Sequence, residues 1–220
     1  MTFQFNTKKA AKEFSGNVSL GNTKMPGTTV SMDAFSCKVG SKLAKVEGSV
    51  CHKCYARRIQ KMRPSVDKGW KANQAKLEAA IANNTIELWA HGIAYQITKA
   101  GQTHNRFLDS GDLVSVDGLQ AFVLVAKLTP NVMHWVPTRE ASIVKAWLAA
   151  HPEGFPSNMI VRVSATKVND APRKFANTST VHKNATPSGH ICPASTQGNK
   201  CGDCRACWDH DVANVSYPLH

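Results

Sequence analysis

Seven cysteines stand in two groups, Cys37, Cys51 and Cys54 towards the front of the chain and Cys192, Cys201, Cys204 and Cys207 towards its end, with none between Cys54 and Cys192. The number is odd, and the opening run MTFQFNTKKA has no apolar core followed by small residues. A disulfide framework is therefore not expected, since an unexported chain sits in a reducing compartment. The grouping reads as a three-plus-four set of metal ligands, which any fold must bring together on loops.

Cys201-x2-Cys204-x2-Cys207 places three thiols at equal short steps, a spacing that lets one tight loop wrap three corners of a four-iron cluster. Cys192, followed by Pro193, is the natural fourth ligand. Structural zinc also takes four thiolates, but usually from two separated C-x2-C knuckles. The front group, Cys37-x13-Cys51-x2-Cys54, has only three thiols, the number that leaves one iron of a [4Fe-4S] cluster without a protein ligand. A zinc reading adds His52 to make a Cys3His centre. A histidine inside a C-x2-C is poorly placed to close that tetrahedron, so His52 is expected to face solvent. One or two iron–sulfur clusters, with zinc as the alternative, are the cofactors expected.

The segment up to about Pro26 is polar, and GTTVSMDAF after it fits a first strand ending before Cys37. Cys37 to Cys54 follows as a loop. Spaced apolar residues after Pro64 predict one helix, and Ile86, Trp89, Ile93 and Ile97 predict another from about Thr85 to Lys99, stopped by Gly101. Strands at Asn105–Asp109, Asn131–Val136 and Met159–Ala165 then alternate with helices at Gly118–Leu128 and Arg139–Ala150. That rhythm implies parallel pairing through right-handed crossovers. Residues 167–200 read as loop, so four or five strands fit, too few for a closed eight-unit barrel of about 250 residues. The expected architecture is α/β, a partial (β/α) barrel with a mostly parallel sheet over residues 1–166 and a loop-rich, cysteine-rich C-terminal extension over 167–220.

Active residues of such folds lie on loops at the carboxyl ends of strands. Those loops carry the three front cysteines, then Ser110, Gly111 and Asp112, then Pro137, Thr138 and Arg139, and finally Ser164 and Thr166. Ser110, Gly111, Asp112, Thr138 and Arg139 are the candidate cofactor-binding residues. Arg139 offers a bidentate clamp for carboxylate or phosphate, or a structural partner for Glu140 or Asp112. Asp112 is a cofactor ligand or the cap of the helix after it. His134 and Trp135 fall on opposite faces of their strand, so at least one is core. Trp208 is expected to pack over the terminal cysteines.

Lysine and arginine number 27 against 15 acids, a formal charge of +12 that points to an anionic partner. Arg57, Arg58, Lys61 and Arg63, with Tyr55 nearby, suit phosphates and a stacked base, or else form a solvated helix face. Nucleic acid or another anion and a small-molecule substrate are the candidate partners. The longest apolar run, Ala121–Ala126, is far short of the ~20 residues of a membrane span. No Walker loop, G-x-S-x-G or H-E-x-x-H occurs, which removes P-loop NTPase, serine-hydrolase and zincin readings.

The runs GNTKMPGTTVSMDAFSCKVG, CHKCYARR and ICPASTQGNKCGDCRACWD resemble the phage family named after gene product 88, which shares an early C-x2-C-Y-A and a closing C-P…C-x2-C-x2-C-W. That resemblance implies phage origin and work in the cytoplasm of the infected bacterial host, and supplies no reaction. More distantly, the chain resembles radical S-adenosylmethionine (SAM) enzymes, which hold a four-iron cluster on three cysteines after the first strand of a partial or full barrel. By that resemblance Cys37, Cys51 and Cys54 hold the cluster, Ser110-Gly111-Asp112 stands where a Gly-Gly-Glu receives the SAM amino group, and the terminal cysteines form an auxiliary site. The sequence departs from the superfamily's C-x3-C-x2-C in its x13 spacing, and Tyr55 follows the last cysteine where an aromatic usually precedes it.

Overall fold

The computed structural model describes residues 3–21 and 24–219. Asn22 and Thr23, inside the first of the family-like runs, lie outside the described residues. Seven strands form one open sheet: β1 (Thr28–Val30), β2 (His104–Phe107), β3 (Met133–Thr138), β4 (Met159–Ser164), β5 (Thr178–His182), β6 (His190–Ile191) and β7 (Asn214–Pro218). Their order is β1-β2-β3-β4-β5-β7-β6, and every neighbouring pair is parallel. The expected open, parallel α/β architecture is what the chain adopts.

Seven α-helices accompany the strands among the described residues: α1 (Lys8–Ser15), α2 (Lys38–Leu43), α3 (Tyr55–Met62), α4 (Pro64–Ala82), α5 (Ile86–Ala100), α6 (Val116–Leu128) and α7 (Ala141–Ala150). α4 starts with proline in its first turn, where the missing N–H costs nothing, and α5 ends on Gly101 in the left-handed conformation. Trp89, Ile93 and Ile97 of α5, Leu119 and Phe122 of α6 and Val144 and Trp147 of α7 pack with Phe107, Val136 and Val163 in the main core. Strand alternation sends the other residues to the opposite face, where Trp135, Ile160 and Trp208 form a second cluster beside Cys207 and Tyr217. One face of the sheet is thus packed by helices, and the other is covered by the C-terminal segment.

Three features depart from the sequence reading. The front, polar segment carries α1, and α2 interrupts the expected loop between Cys37 and Cys54. The sheet has seven strands where four or five were expected, because β5 and β6 arise in the stretch read as loop and β7 follows the last cysteine. β5 and β7 escape a hydropathy reading because they bury hydroxyls and an amide. Thr178 Oγ1 donates to Asn214 Oδ1 at 2.9 Å, Thr180 Oγ1 to Ser216 Oγ at 3.1 Å, and Asn214 Nδ2 to Thr180 Oγ1 at 3.0 Å. The polar groups satisfy one another across the strands, so little apolar patterning is needed.

Candidate metal and cofactor sites

Cys37 and Cys54 occupy the positions just before α2 and α3, and neither sulfur is spent capping its helix. A Cβ added at Gly40 would sit 3.7 Å from both Cys37 Sγ and Cys51 Sγ. Both sulfurs therefore border the same glycine, where an added Cβ would press on Cys37 Cβ at 3.0 Å. Val50 N donates to Thr166 O at 3.0 Å and Val168 N to Gly48 O at 3.0 Å, stitching this loop onto the segment leaving β4. Glu140, in the turn from β3 into α7, accepts from Val39 N at 2.7 Å. The front cysteines therefore stand over the carboxyl ends of the strands, facing Asp112 and Arg139. Burial, with Asp112 and the other two thiols adding to it, pushes the Cys37 thiol up to about 12. Burial also raises Cys51, against the pull of the Arg139 guanidinium. His52 is exposed, as expected.

The second strand's loop lies beneath. Gly111 has φ +81°, and a Cβ on it would come within 2.5 Å of Met32 Cβ, so only glycine permits the turn. Asp112 is buried and its carboxylate accepts three hydrogen bonds, from Leu113 N at 2.8 Å, Thr138 Oγ1 at 2.5 Å and Arg139 N at 3.0 Å. Thr138 Oγ1 in turn accepts from Glu140 N at 3.0 Å. Burial raises the Asp112 carboxyl above its ordinary value, and these bonds oppose the rise. The cap of α6 is Ser115, which accepts from Gly118 N at 3.1 Å, so the capping role considered for Asp112 is not the one it fills. Nor does Arg139 form a side-chain ion pair with Glu140 or Asp112; the ion pairs among the described residues are Lys9–Glu13 and Lys71–Asp67. Arg139 Nε, Ser110 Oγ and Asp109 Oδ1 are buried atoms without a hydrogen-bond partner. Orphaned polar atoms clustered on one rim are costly unless a bound group satisfies them. Ser164 and Thr166 are occupied elsewhere, Ser164 Oγ with Ser179 Oγ at 2.9 Å and Thr166 Oγ1 with Asp170 Oδ2 at 3.3 Å.

The four terminal cysteines line a cavity of about 20 Å³ on the face opposite the α-helices, together with His190, Trp208 and Val215. His190 Nε2 lies 3.4 Å from Cys204 Sγ, and Tyr217 Oη 3.1 Å from Cys207 Sγ. Burial pushes the Cys207 thiol up to about 11, with the Tyr217 bond and the Arg106 cation working against it. Trp208 is buried edge-on to Trp135 and donates to Asn105 O at 2.9 Å, so it packs over the terminal cysteines as expected. Among the described residues no group of three or more His, Cys, Asp or Glu side chains is arranged to hold a single metal ion.

The model of the gene product 88 family matches residues 1–210. The chain belongs to that family. Comparison with curated proteins and with solved structures gives no match. What distinguishes this gene product 88 family chain must therefore be read from its own residues.

Arg106 and Arg162 were not singled out from the sequence. Arg106, on β2, lays its guanidinium 4.5 Å from the Trp135 ring centroid. Burial works against its charge, and Tyr55, Asp109, Tyr217 and Cys207 together outweigh that penalty. It thus faces groups from both cysteine sites. Arg162 is fully buried on β4 and donates only to backbone carbonyls: Nε to Cys207 O, Nη1 to Thr178 O and Val212 O, and Nη2 to Ala206 O and Asp209 O. A charged residue inside the apolar strand MIVRVS was the available signal. His134 is core: Thr129 Oγ1 donates to Val125 O, so His134 Nε2–H must donate to Thr129 Oγ1, while Nδ1 faces Asn105 Nδ2.

Proposed function

We propose that this gene product 88 family chain is an iron–sulfur protein with two centres. Cys37, Cys51 and Cys54 would hold a [4Fe-4S] cluster with one iron open on the carboxyl rim, and Cys192, Cys201, Cys204 and Cys207 a second on the face opposite the α-helices. The observation that carries the reading is the front rim, where the Cys37 and Cys51 sulfurs both border Gly40 and Cys54 is close enough to raise both thiols electrostatically, with His52 exposed and unsatisfied polar atoms on the neighbouring loops. The terminal group supports it in that all four cysteines line one small cavity, which would have to widen around a cluster. Such a cluster, when bound, supplies one-electron chemistry at an iron open to an outside ligand.

The chain's own groups do the holding. Gly40 lets the chain pass close to Cys37 Cβ beside both sulfurs, Asp112 and Thr138 fix the turn that carries Arg139, and Arg139 leaves an Nε–H free at the rim. For SAM the fit is partial. Ser110 Oγ is buried and free, whereas the Asp112 carboxylate already accepts three hydrogen bonds and is a poor amino-group acceptor. The phage family supports a role for the protein inside the infected bacterial host.

Anaerobic purification with iron, sulfide and zinc analysis tests the proposal. About eight irons per chain are expected, falling by about half in Cys204→Ala. A protein that carries zinc alone after anaerobic handling overturns it. Addition of SAM to the reduced protein tests the narrower part: an unchanged paramagnetic resonance spectrum and no 5′-deoxyadenosine reject SAM as the ligand.

A further inference from the structure

The segment around the front cysteines has an unusual surface. Over residues 35–63 the exposed charged side chains are seven cations and a single carboxylate, Glu47. Nearby Asp67 is paired with Lys71 at 2.9 Å, and Asp33 accepts from Phe35 N and Gln60 Nε2. A merely solvated helix face accounts for the cations but not for what lies among them. Of the eight large apolar side chains exposed among the described residues, Phe35, Val46, Tyr55 and Met62 all fall in this segment. Tyr55 is 54% exposed yet held in place, its hydroxyl donating to Asp109 O at 2.7 Å. Phe35 is 42% exposed and carries the Arg57 guanidinium 4.6 Å from its ring centroid. Tyr55 directly follows Cys54, and Phe35 precedes Cys37 by two residues.

Fixed, exposed rings set among cations match a polymer that alternates anionic groups with flat apolar faces. The geometry points to single-stranded nucleic acid as the partner, its phosphates on Lys42, Lys53, Arg58 and Lys61 and its bases stacked on Tyr55 and Phe35. A duplex keeps its base faces covered, and an acidic peptide has no use for the rings. A strand lying there passes a nucleotide over the front cysteines. The docking stands on the surface alone; that the strand is the substrate class of the front site rests on the iron–sulfur reading.

The test is fluorescence anisotropy of a labelled 20-nucleotide oligo(dT) with the anaerobically purified full chain. Four phosphate contacts at about −0.7 each give a log–log salt slope near −2.8, or roughly 50-fold weaker binding from 50 to 200 mM salt. Arg58→Glu with Lys61→Glu is expected to halve that slope. Tyr55→Leu, with Phe35→Leu measured alongside it, is expected to weaken binding about 5- to 100-fold with the slope unchanged. Lys8→Glu with Lys12→Glu on α1, a charge-matched control, is expected to change neither. Salt-independent binding, equal damage from the α1 control, or equal competition by polyglutamate overturns the proposal. Metal content measured on the same sample separates the two ideas. Strand binding by a zinc-only protein sinks the iron–sulfur reading and keeps the docking, whereas an iron-loaded protein without strand binding sinks the docking alone.

Discussion

Replacing Arg162 with methionine probes what holds the terminal cysteines against the sheet. All five N–H groups of the guanidinium meet carbonyl oxygens, at 3.1 Å to Cys207, 3.3 Å to Thr178, and 2.8 Å to each of Val212, Ala206 and Asp209. Hydrogen bonds to a charged group contribute about 1.5–3 kcal/mol each, so the five give roughly 7–15 kcal/mol. Burying a cation beside carbonyls alone costs several kcal/mol, which offsets much of that. The net loss in Arg162→Met is then about 3–5 kcal/mol, a large part of the stability of a domain this size. Arg162→Lys keeps three donors for five acceptors and is expected to lose about 2–3 kcal/mol.

Because four of the five carbonyls belong to residues 206–212, the damage is expected first as local opening there. Hydrogen exchange followed by mass spectrometry should show lost protection over residues 201–218 with α5 and α6 still protected, and urea unfolding gives the total. The reasoning fails if Arg162→Lys changes stability by less than about 0.5 kcal/mol and leaves exchange in that segment unaltered.

Burial brings the folded His134 ring down to about 3 from 6.5. Between those values the unfolded state binds the extra proton, so stability falls as pH drops below 6.5, by about 2 kcal/mol at pH 5 relative to neutrality. Urea midpoints across that range should show the slope, and His134→Gln should flatten it. Gly111→Ala meets Met32 Cβ at 2.5 Å with φ at +81°, and is expected to cost about 2 kcal/mol or more in thermal unfolding. Thr138→Val removes the hydroxyl that joins Asp112 to Glu140 N; Asp112 Oδ1 keeps its bond from Leu113 N, and the lost bond to the carboxylate together with the orphaned Glu140 N–H is expected to cost about 1–3 kcal/mol by urea denaturation.

Periodicity and punctuation were enough to reveal the scaffold that carries the front site. Ile86, Trp89, Ile93 and Ile97 face one way because a helix repeats every 3.6 residues, and Gly101 can take the left-handed turn that ends it. Runs such as Met159–Ser164, buried along their whole length, read as interior parallel strands. Given those strands, the placement of Cys51, Asp112 and Arg139 on one rim follows from the rule that crossovers in a parallel sheet return their loops to the same edge. Local spacing also grouped the cysteines, since thiols a few residues apart are neighbours whatever the fold.

What the sequence by itself determined, then, were features whose causes are local: helix faces, turns, the parallel strand rhythm and the two cysteine groups. Tertiary structure decided everything that depends on partners distant in the chain. The Asp112 carboxylate could have received a cofactor or capped a helix until Thr138 Oγ1 and Arg139 N were brought to it. β5 and β7 became buried strands because Thr178, Thr180, Asn214 and Ser216 satisfy one another, a pairing invisible to hydropathy. Arg162, a lone charge in an apolar strand, became the anchor of the C-terminal segment once carbonyls from 206 to 212 folded over it. The reason is common to all three: a buried polar group is tolerated only with partners, and those partners are chosen by the fold.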